Sequence, residues 1–592
     1  MSFFKHQLPF IWKLVGLMRE MKRYVNSPMN LADFVEKNAR RWPNRDAVVD
    51  AEGIESSLTW SQFDALANQI ANWALSRGLT KGDQVALYMD NIPIYPVVWV
   101  GLGKVGVVTA LINSNQEGKA LSHSINVVNA KMVITQAGKT EAIEAIRSEL
   151  DSSITLATIG PHVPEGYLDL RSDWDEHTND APERPPGMVA TDPAVLIYTS
   201  GTTGLPKAAI MTHLRCLGAG SVFARLGGVT QRDVIYTALP LYHSAGGVIG
   251  VGSSFTTGAK LVVRRKFSAT HFISDCKKHE CTVAQYIGEI LRYLLTTEPG
   301  PSDRDHKLRM FLGNGLRPDI WDEVVDRFGV TIFEFYGATE GNVTLLNPYG
   351  MAHAVGYMPP LLQKLLPYSL VKFDLEKEAP VRDSRGFCQR VKPGEVGEAV
   401  GQIRPNDPVT EFRGYTNKEA TAKKLLENVF SNGDRFFRTG DLLRMDEQGF
   451  VYFVDRIGDT FRWKGENVAT TEVSEVINTV TGIKESVVYG VEVTGHDGRA
   501  GMAALVLGSD FDLDVLARTL EDQLPIYARP LFLRILPEPD LTGTFKHQKS
   551  RLKTEGYSLD LQDDVLVRDA ESGGYRKLDQ EALDAIAAGA RI

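Results

Sequence analysis

A chain of 592 residues has room for two to four domains and a large core. Hydrophobic residues at 43% and charged residues at 23% are ordinary for a soluble globular protein, and a net charge of −9 argues against nucleic acid as a partner, because its binders present a basic footprint. Four cysteines in this length make no disulfide framework; Cys276 and Cys281 flank His279 with no second pair at zinc spacing, so they read as plain thiols in a reducing compartment.

Residues 1–28 stand apart. Apolar residues such as Phe4, Leu8, Trp12, Leu17 and Met18 interleave with Lys5, Lys13, Arg19, Lys22 and Arg23, five cations against the single Glu20, for a local charge of +4 in an acidic chain. Pro9 and Lys13 interrupt any signal-peptide core, and no small-residue cleavage site follows. A helix lying in a membrane interface and a helix docked on the protein's own surface both fit this pattern. No stretch offers 18 uninterrupted apolar residues; Val97–Ile112 is broken by Lys104 and three glycines and reads as core.

After Pro28 the pattern turns α/β. Thr59 with Gln62 forms a capping box, Phe63, Leu66, Ala67, Ile70 and Ala74 mark one helical face, and Gly78 ends it. A Gly82-Asp83 turn then leads into the strand Gln84–Tyr88. Such alternation implies layered sheets covered by helices. The proline-bearing stretch 180–193 reads as a linker into the apolar strand Ala194–Tyr198.

That strand delivers Thr199-Ser200-Gly201-Thr202-Thr203-Gly204-Leu205-Pro206-Lys207. Gly201 and Gly204 can bring backbone N–H groups up to an anion with no Cβ in the way; the hydroxyls add donors and Lys207 a point charge. The stretch is a phosphate cradle, and not a Walker loop, because Leu205-Pro206 separates the last glycine from the lysine. Ala208–Met211 reads as strand, so no helix N-terminus faces the phosphates.

Further strings follow: Leu239–Gly247 with His243, Gly246 and Gly247; Gly313-Asn314-Gly315-Leu316-Arg317; Phe335–Asn342 with Tyr336, Gly337, Thr339 and Glu340; Phe437–Asp441; and Asp455-Arg456-Ile457-Gly458-Asp459. Singly, a lone His or a turn acid is unremarkable. In this order, they and the phosphate cradle resemble the acyl-adenylate-forming superfamily of acyl-CoA synthetases, peptide-synthetase adenylation domains and luciferases. Leu239–Gly247, Gln285–Glu289, Asn314–Trp321, Phe335–Asn342 and Asp459–Asn467 resemble, more narrowly, the very-long-chain acyl-CoA synthetases, also called fatty acid transport proteins, over nearly the whole chain from residue 29.

The resemblance implies an α/β fold: a multi-layer α/β N-terminal domain at 29–455 and a smaller mobile α+β lid at 459–592, hinged near 456–458 at Gly458. The periodicity of 459–592 agrees, with a helix through Val473, Val476, Ile477 and Val480 and two strands, Glu485–Val491 and Gly501–Leu507, around an Asp497-Gly498 turn. By resemblance, Thr199, Ser200, Gly201, Thr202, Thr203, Gly204 and Lys207 hold the ATP phosphates. Gly313, Asn314 and Gly315 lay backbone along one adenine face, Tyr336 stacks on the other, Gly337 and Thr339 belong to the same nucleotide site, and Asp441 takes the ribose with Arg456 as a second nucleotide contact. Glu340 and Thr199 hold Mg²⁺. His243 flanks the substrate carboxylate, Gly246 and Gly247 leave room for a chain, and Gly465 approaches the pantetheine of CoA. Lys546, in Leu541-Thr542-Gly543-Thr544-Phe545-Lys546, occupies the catalytic-lysine position, with Thr544-Phe545 replacing the usual Ser-Gly.

The reaction so implied is ATP- and Mg²⁺-dependent: a fatty carboxylate forms acyl-AMP, and the CoA thiol then displaces AMP. Loading a carrier protein is the rival acceptor; a membrane permease is the rival in another class, opposed by the lack of a spanning stretch, while fatty-acid uptake by CoA trapping is compatible with the enzyme. The expected setting is cytoplasmic, with peripheral attachment to the inner membrane face as an option. Chain length stays open, and so do bulky, steroid-like acids.

Overall fold

The computed structural model describes the chain apart from residues 1, 200–205, 338–341, 376, 406, 408–409, 411, 413–417, 465, 494–495, 497, 539–548, 570–571 and 588–592. It packs as two compact units, one of Met1–Leu316, Glu323–Met351 and Gln402–Leu425, the other of Arg317–Asp322, Ala352–Gly401 and Leu426–Ile592. Packing therefore groups 352–401 and 426–455 with the C-terminal residues, whereas the sequence expectation divides the chain at 456–458.

The first unit holds two sheets. In one, the strands run Tyr167–Asp169, Thr155–Ile159, Met132–Gln136, Gln84–Tyr88, Val108–Leu111, Pro193–Thr199 and Lys207–Thr212, parallel except for the last pair. Every residue of Val108–Leu111 and Met132–Gln136 is buried, as expected of parallel strands covered on both faces. The capping box forms: Thr59 Oγ1 accepts from the Gln62 N–H and Gln62 Oε1 from the Thr59 N–H, opening the helix Trp60–Ser76 whose Phe63, Ala67, Ile70 and Ala74 are fully buried. The run from Val97 is core, divided between the helix Ile94–Lys104 and the strand Val108–Leu111. Lys104 itself is only 2% exposed and is tolerated because Glu36 and Asp64 lie 2.9 and 2.8 Å from its Nζ.

The other sheet runs Thr344–Asn347, Thr331–Gly337, Met310–Asn314, Val283–Ile287, Val234–Thr237, Lys260–Val263, Asp46–Asp50 and Leu58–Thr59, parallel except at its two edge strands.

The N-terminal segment is a helix, Ser2–Tyr24. Leu17 and Met21 pack with Ala190 and Leu214, and Glu20 pairs with Arg225. The opposite face stays in solvent: Trp12 is 72% exposed, Leu8 56% and Met18 51%, beside exposed Lys13, Arg19, Lys22 and Arg23. Docking on the protein's own surface thus uses one stripe of the helix and leaves a second apolar stripe uncovered. Among the described residues no helix is long and apolar enough to cross a membrane.

The second unit combines a sheet of Gly356–Tyr357, Phe450–Arg456, Arg435–Met445, Val396–Ile403, Tyr368–Asp374 and Ala379–Pro380 with a five-stranded mixed sheet. The latter contains the expected hairpin, Ile483–Glu492 against Arg499–Leu507, and the helix Thr470–Asn478 buries Val473 and Ile477 in its core.

His213, first residue of the helix His213–Leu226, is 5% exposed, and burial pushes its imidazole down to about 4 from 6.5. The unfolded chain then binds the extra proton in that window, so stability is full above pH 6.5 and is lost as pH falls toward 4. Melting temperature should fall over this range more steeply for the native protein than for His213→Gln; parallel slopes would assign the acid sensitivity to other groups.

Candidate active site

In the eight-stranded sheet, Val234–Thr237 lies between Lys260–Val263 and Val283–Ile287, so the chain leaves it first toward one side and later toward the other. Such a reversal opens a crevice outside the carboxyl ends of the two diverging strands. Leu239–Gly247 leaves the first of these ends and Gly288–Glu289 the second; Gly313–Gly315 and Tyr336–Gly337 leave the next two strands along the same edge. Four strings far apart in sequence therefore share one sheet edge.

Leu239–Gly247 is held by a residue outside every motif. Asn91, 5% exposed, donates from Nδ2 to the Leu239 carbonyl at 2.8 Å and accepts the Leu241 N–H at 2.8 Å. His243 is half-buried at the start of a π-helix, Ser244–Val251, a helix type concentrated at functional sites. Gln285 Nε2 donates to the Ala245 carbonyl at 2.8 Å. The glycines here sit tightly against backbone: a Cβ on Gly246 would lie 2.5 Å from the Pro240 oxygen, and one on Gly247 2.3 Å from the Leu241 oxygen. A side chain at either position would therefore collide with the preceding turn, so glycine lets the π-helix close onto it.

Backbone crowding also shapes Gly313–Gly315. A Cβ on Gly313 would meet the Tyr286 oxygen at 2.0 Å, one on Gly288 would meet the Gly315 oxygen at 1.7 Å, and Gly315 has φ +80°. Beneath them Glu334, fully buried, accepts the Gly315 N–H at 2.5 Å and the Tyr286 hydroxyl. Tyr336 is half-buried two residues further on, and Gly337 is exposed at the strand end.

The ends of the phosphate cradle are brought opposite each other by the antiparallel pairing of Thr199 with Lys207, and the chain continues as strand through Thr212, as expected. Tyr198 donates to the Ser124 carbonyl at 2.6 Å, and a ring nitrogen of His123 lies 3.1 Å from the Pro206 carbonyl. Ser200, Gly201, Thr202, Thr203 and Gly204 lie outside the described residues, as do Thr339, Glu340, Gly465 and Lys546.

In the second unit Asp441 and Arg456 are cross-strand partners, Arg456 Nε standing 3.7 Å from Asp441 Oδ1. The strand segment before Asp441 is fixed from below by Glu398, fully buried, which accepts from Arg438 Nη2 at 2.8 Å and Nε at 3.1 Å and from the Gly440 N–H at 3.2 Å. Gly440 has φ +81°, and Thr439 Oγ1 accepts the Asp441 N–H at 3.1 Å. After Arg456 the chain turns at Gly458. That glycine lacks a positive φ, and a Cβ there would meet nothing within 4 Å, so this conformation does not require glycine. Lys553 donates to the Gly458 carbonyl at 2.9 Å and pairs with Asp459, which Lys549 also contacts at 3.2 Å.

Asn91, Gln285, Glu334 and Glu398 are supports that sequence reasoning did not single out as site residues. The one legible signal was an acid inside an apolar strand, as in Ile332-Phe333-Glu334-Phe335. Glu398→Ala should cost about 3 kcal/mol, since removing one member of a buried ion pair strands the other. Urea unfolding at unchanged m-value reads it, and a loss well under 1 kcal/mol would make Arg438 self-sufficient.

The model of the AMP-binding enzyme family matches residues 35–398. The chain is 41% identical over 585 residues to long-chain fatty acid transport protein 1 of Mus musculus, covering 97% of this chain and 90% of that one. It is 41% identical over 595 residues to long-chain fatty acid transport protein 2 of Rattus norvegicus, covering 98% and 94%. Among solved structures, the anthranilate CoA ligase AuaEII in complex with anthranoyl-AMP superposes with a TM-score of 0.75 at 20% identity, over 89% of this chain and 97% of the other, a likeness of fold. With two parallel sheets whose motif loops share one edge and a second unit built on a mixed sheet, the chain belongs to the AMP-binding enzyme family, in its long-chain fatty acid transport protein branch.

Proposed function

We propose that this protein is an ATP-dependent, AMP-forming ligase that converts long- or very-long-chain fatty acids to acyl-CoA through an acyl-adenylate. The observation that carries the reading is the gathering of Leu239–Gly247, Gly313–Gly315 and Tyr336 at the carboxyl edge of one sheet in a chain 41% identical to long-chain fatty acid transport proteins. In the first step the fatty carboxylate attacks the α-phosphorus of ATP and pyrophosphate leaves; in the second the CoA thiol attacks the acyl carbon and AMP leaves. Neither step needs a protein nucleophile, so the chain's work is positioning and charge neutralisation.

The hydroxyls and backbone from Thr199 to Gly204, with Lys207, cradle the phosphates. The Gly313–Gly315 backbone and Tyr336 take the adenine, Asp441 the ribose with Arg456 as a second nucleotide contact, and His243 the acid end of the substrate. Mg²⁺ falls to Glu340 and Thr199, where a hard cation on a carboxylate and phosphate oxygens would neutralise charge. Lys546 meets the charge that develops in adenylation, Gly465 borders pantetheine, and 459–592 turns as a lid about Gly458. With all four cysteines buried as thiols, the cytoplasm is the matching compartment.

AMP release across carboxylates from short to very long tests the reading. Fatty acids should support it in a CoA-dependent manner; no response to any fatty acid would overturn it, and stoichiometric acyl-AMP that CoA fails to consume would favour a carrier protein as acceptor. In the same assay Lys546→Ala should slow adenylation by about 10²–10³ while supplied acyl-AMP and CoA still yield thioester.

The uncovered stripe of the helix Ser2–Tyr24, with Leu8, Trp12 and Met18 among exposed cations, supports peripheral attachment to an anionic membrane face. Because Leu17 and Met21 are part of the core, substitution is a cleaner test than deletion. Trp12→Glu should lower co-sedimentation with anionic vesicles and leave AMP release from a soluble short acid unchanged; undiminished sedimentation would end the assignment.

A further inference from the structure

Glu334 lies in the strand Thr331–Gly337, paired on one side with Gly313 and on the other with Asn347, and none of its surface reaches solvent. Burying a carboxyl is costly unless donors surround it. Three do: the Tyr286 hydroxyl donates to Oε2, and the Gly315 and Leu316 N–H groups donate to Oε1 at 2.5 and 3.4 Å. Burial still pushes the group up to about 8, against the pull of those donors.

A buried acid stapling a loop is common, and what matters is which loop it staples. Gly315 and Leu316 follow Gly313 and Asn314 directly, just beyond the end of the strand Met310–Asn314, where Gly315 has a positive φ and crowds Gly288. Side chains two apart on a strand share a face, so Glu334 and Tyr336 project the same way from one rigid element. One carboxyl thus ties the Gly313–Gly315 backbone to the strand that carries Tyr336, and through Tyr286 to the strand preceding Gly288.

We infer that Glu334 is a positioning residue for the purine of ATP, setting the gap between the Gly313–Gly315 backbone and the Tyr336 ring without touching the nucleotide. The inference rests on the adenylate-forming reading above. It makes base selection a property of the strand interior: loss of the staple widens the slot and weakens adenine recognition while the fatty-acid side of the reaction stays as it was.

The test compares Glu334→Ala and Glu334→Gln in the full-length protein by calorimetric titration of ATP and GTP without fatty acid, alongside KM values for ATP and for a fatty acid. Glu334→Ala should weaken ATP binding about tenfold, the effect of losing one hydrogen-bond acceptor for buried donors, and narrow the preference over GTP. The fatty-acid KM should stay unchanged. Glu334→Gln should restore ATP binding to within about threefold, since its Oε1 still accepts from Gly315 and its amide can donate to the Tyr286 oxygen. Unchanged ATP affinity in folded Glu334→Ala, or equal losses toward ATP and fatty acid, would overturn the inference. If Glu334→Ala does not fold, Glu334→Asp carries the same comparison, because one methylene fewer withdraws the acceptor from Gly315. Native protein that binds ATP but turns over no fatty acid tells against the proposed activity alone; native protein that binds no ATP overturns both.

Discussion

Parallel pairing is the constraint from which the candidate site follows. Six strands of the eight-stranded sheet point the same way, so each must hand the chain to a loop at one common edge and recover it through a crossover. Leu239–Gly247, Gly288–Glu289, Gly313–Gly315 and Tyr336–Gly337 meet there because they follow neighbouring strands. An antiparallel arrangement of the same segments would have sent alternate loops to opposite ends.

Loops collected in this way still need a fixed shape, and two devices supply it. One is close backbone approach, possible only at glycine: no side chain fits at Gly288, Gly313 or Gly247 without moving a carbonyl oxygen. The other is a carboxyl or amide set beneath the loop, as Glu334 is under Gly315 and Asn91 under Leu239 and Leu241, and Glu398 does the same for Gly440 inside a strand of the second unit. Each answers irregular backbone N–H or C=O groups that no ladder satisfies, which is why polar side chains are tolerated at near-complete burial. The N-terminal helix shows the opposite economy. Its Leu17–Met21 stripe is spent on the core, while Trp12 on the opposite face stays 72% exposed.

Much of this was legible in the sequence by itself. The capping box at Thr59, the strand on either side of the phosphate cradle, the buried run around Val97 and the helix and hairpin after Thr470 all rest on signals spanning a few residues, and local geometry answers to local sequence. The motif series likewise identified the family before any coordinate, because chemistry on phosphate demands particular residues in order. Only the tertiary structure decided what surrounds those residues. That Gly246 and Gly247 press against the carbonyl oxygens of Pro240 and Leu241 is visible only in the packing. Glu334 acts on a residue 19 positions away, Glu398 on one 40 away and Asn91 on one 148 away. Which buried donors a side chain must satisfy is set by strand order and crossing chain segments, and over such separations no periodicity carries that information.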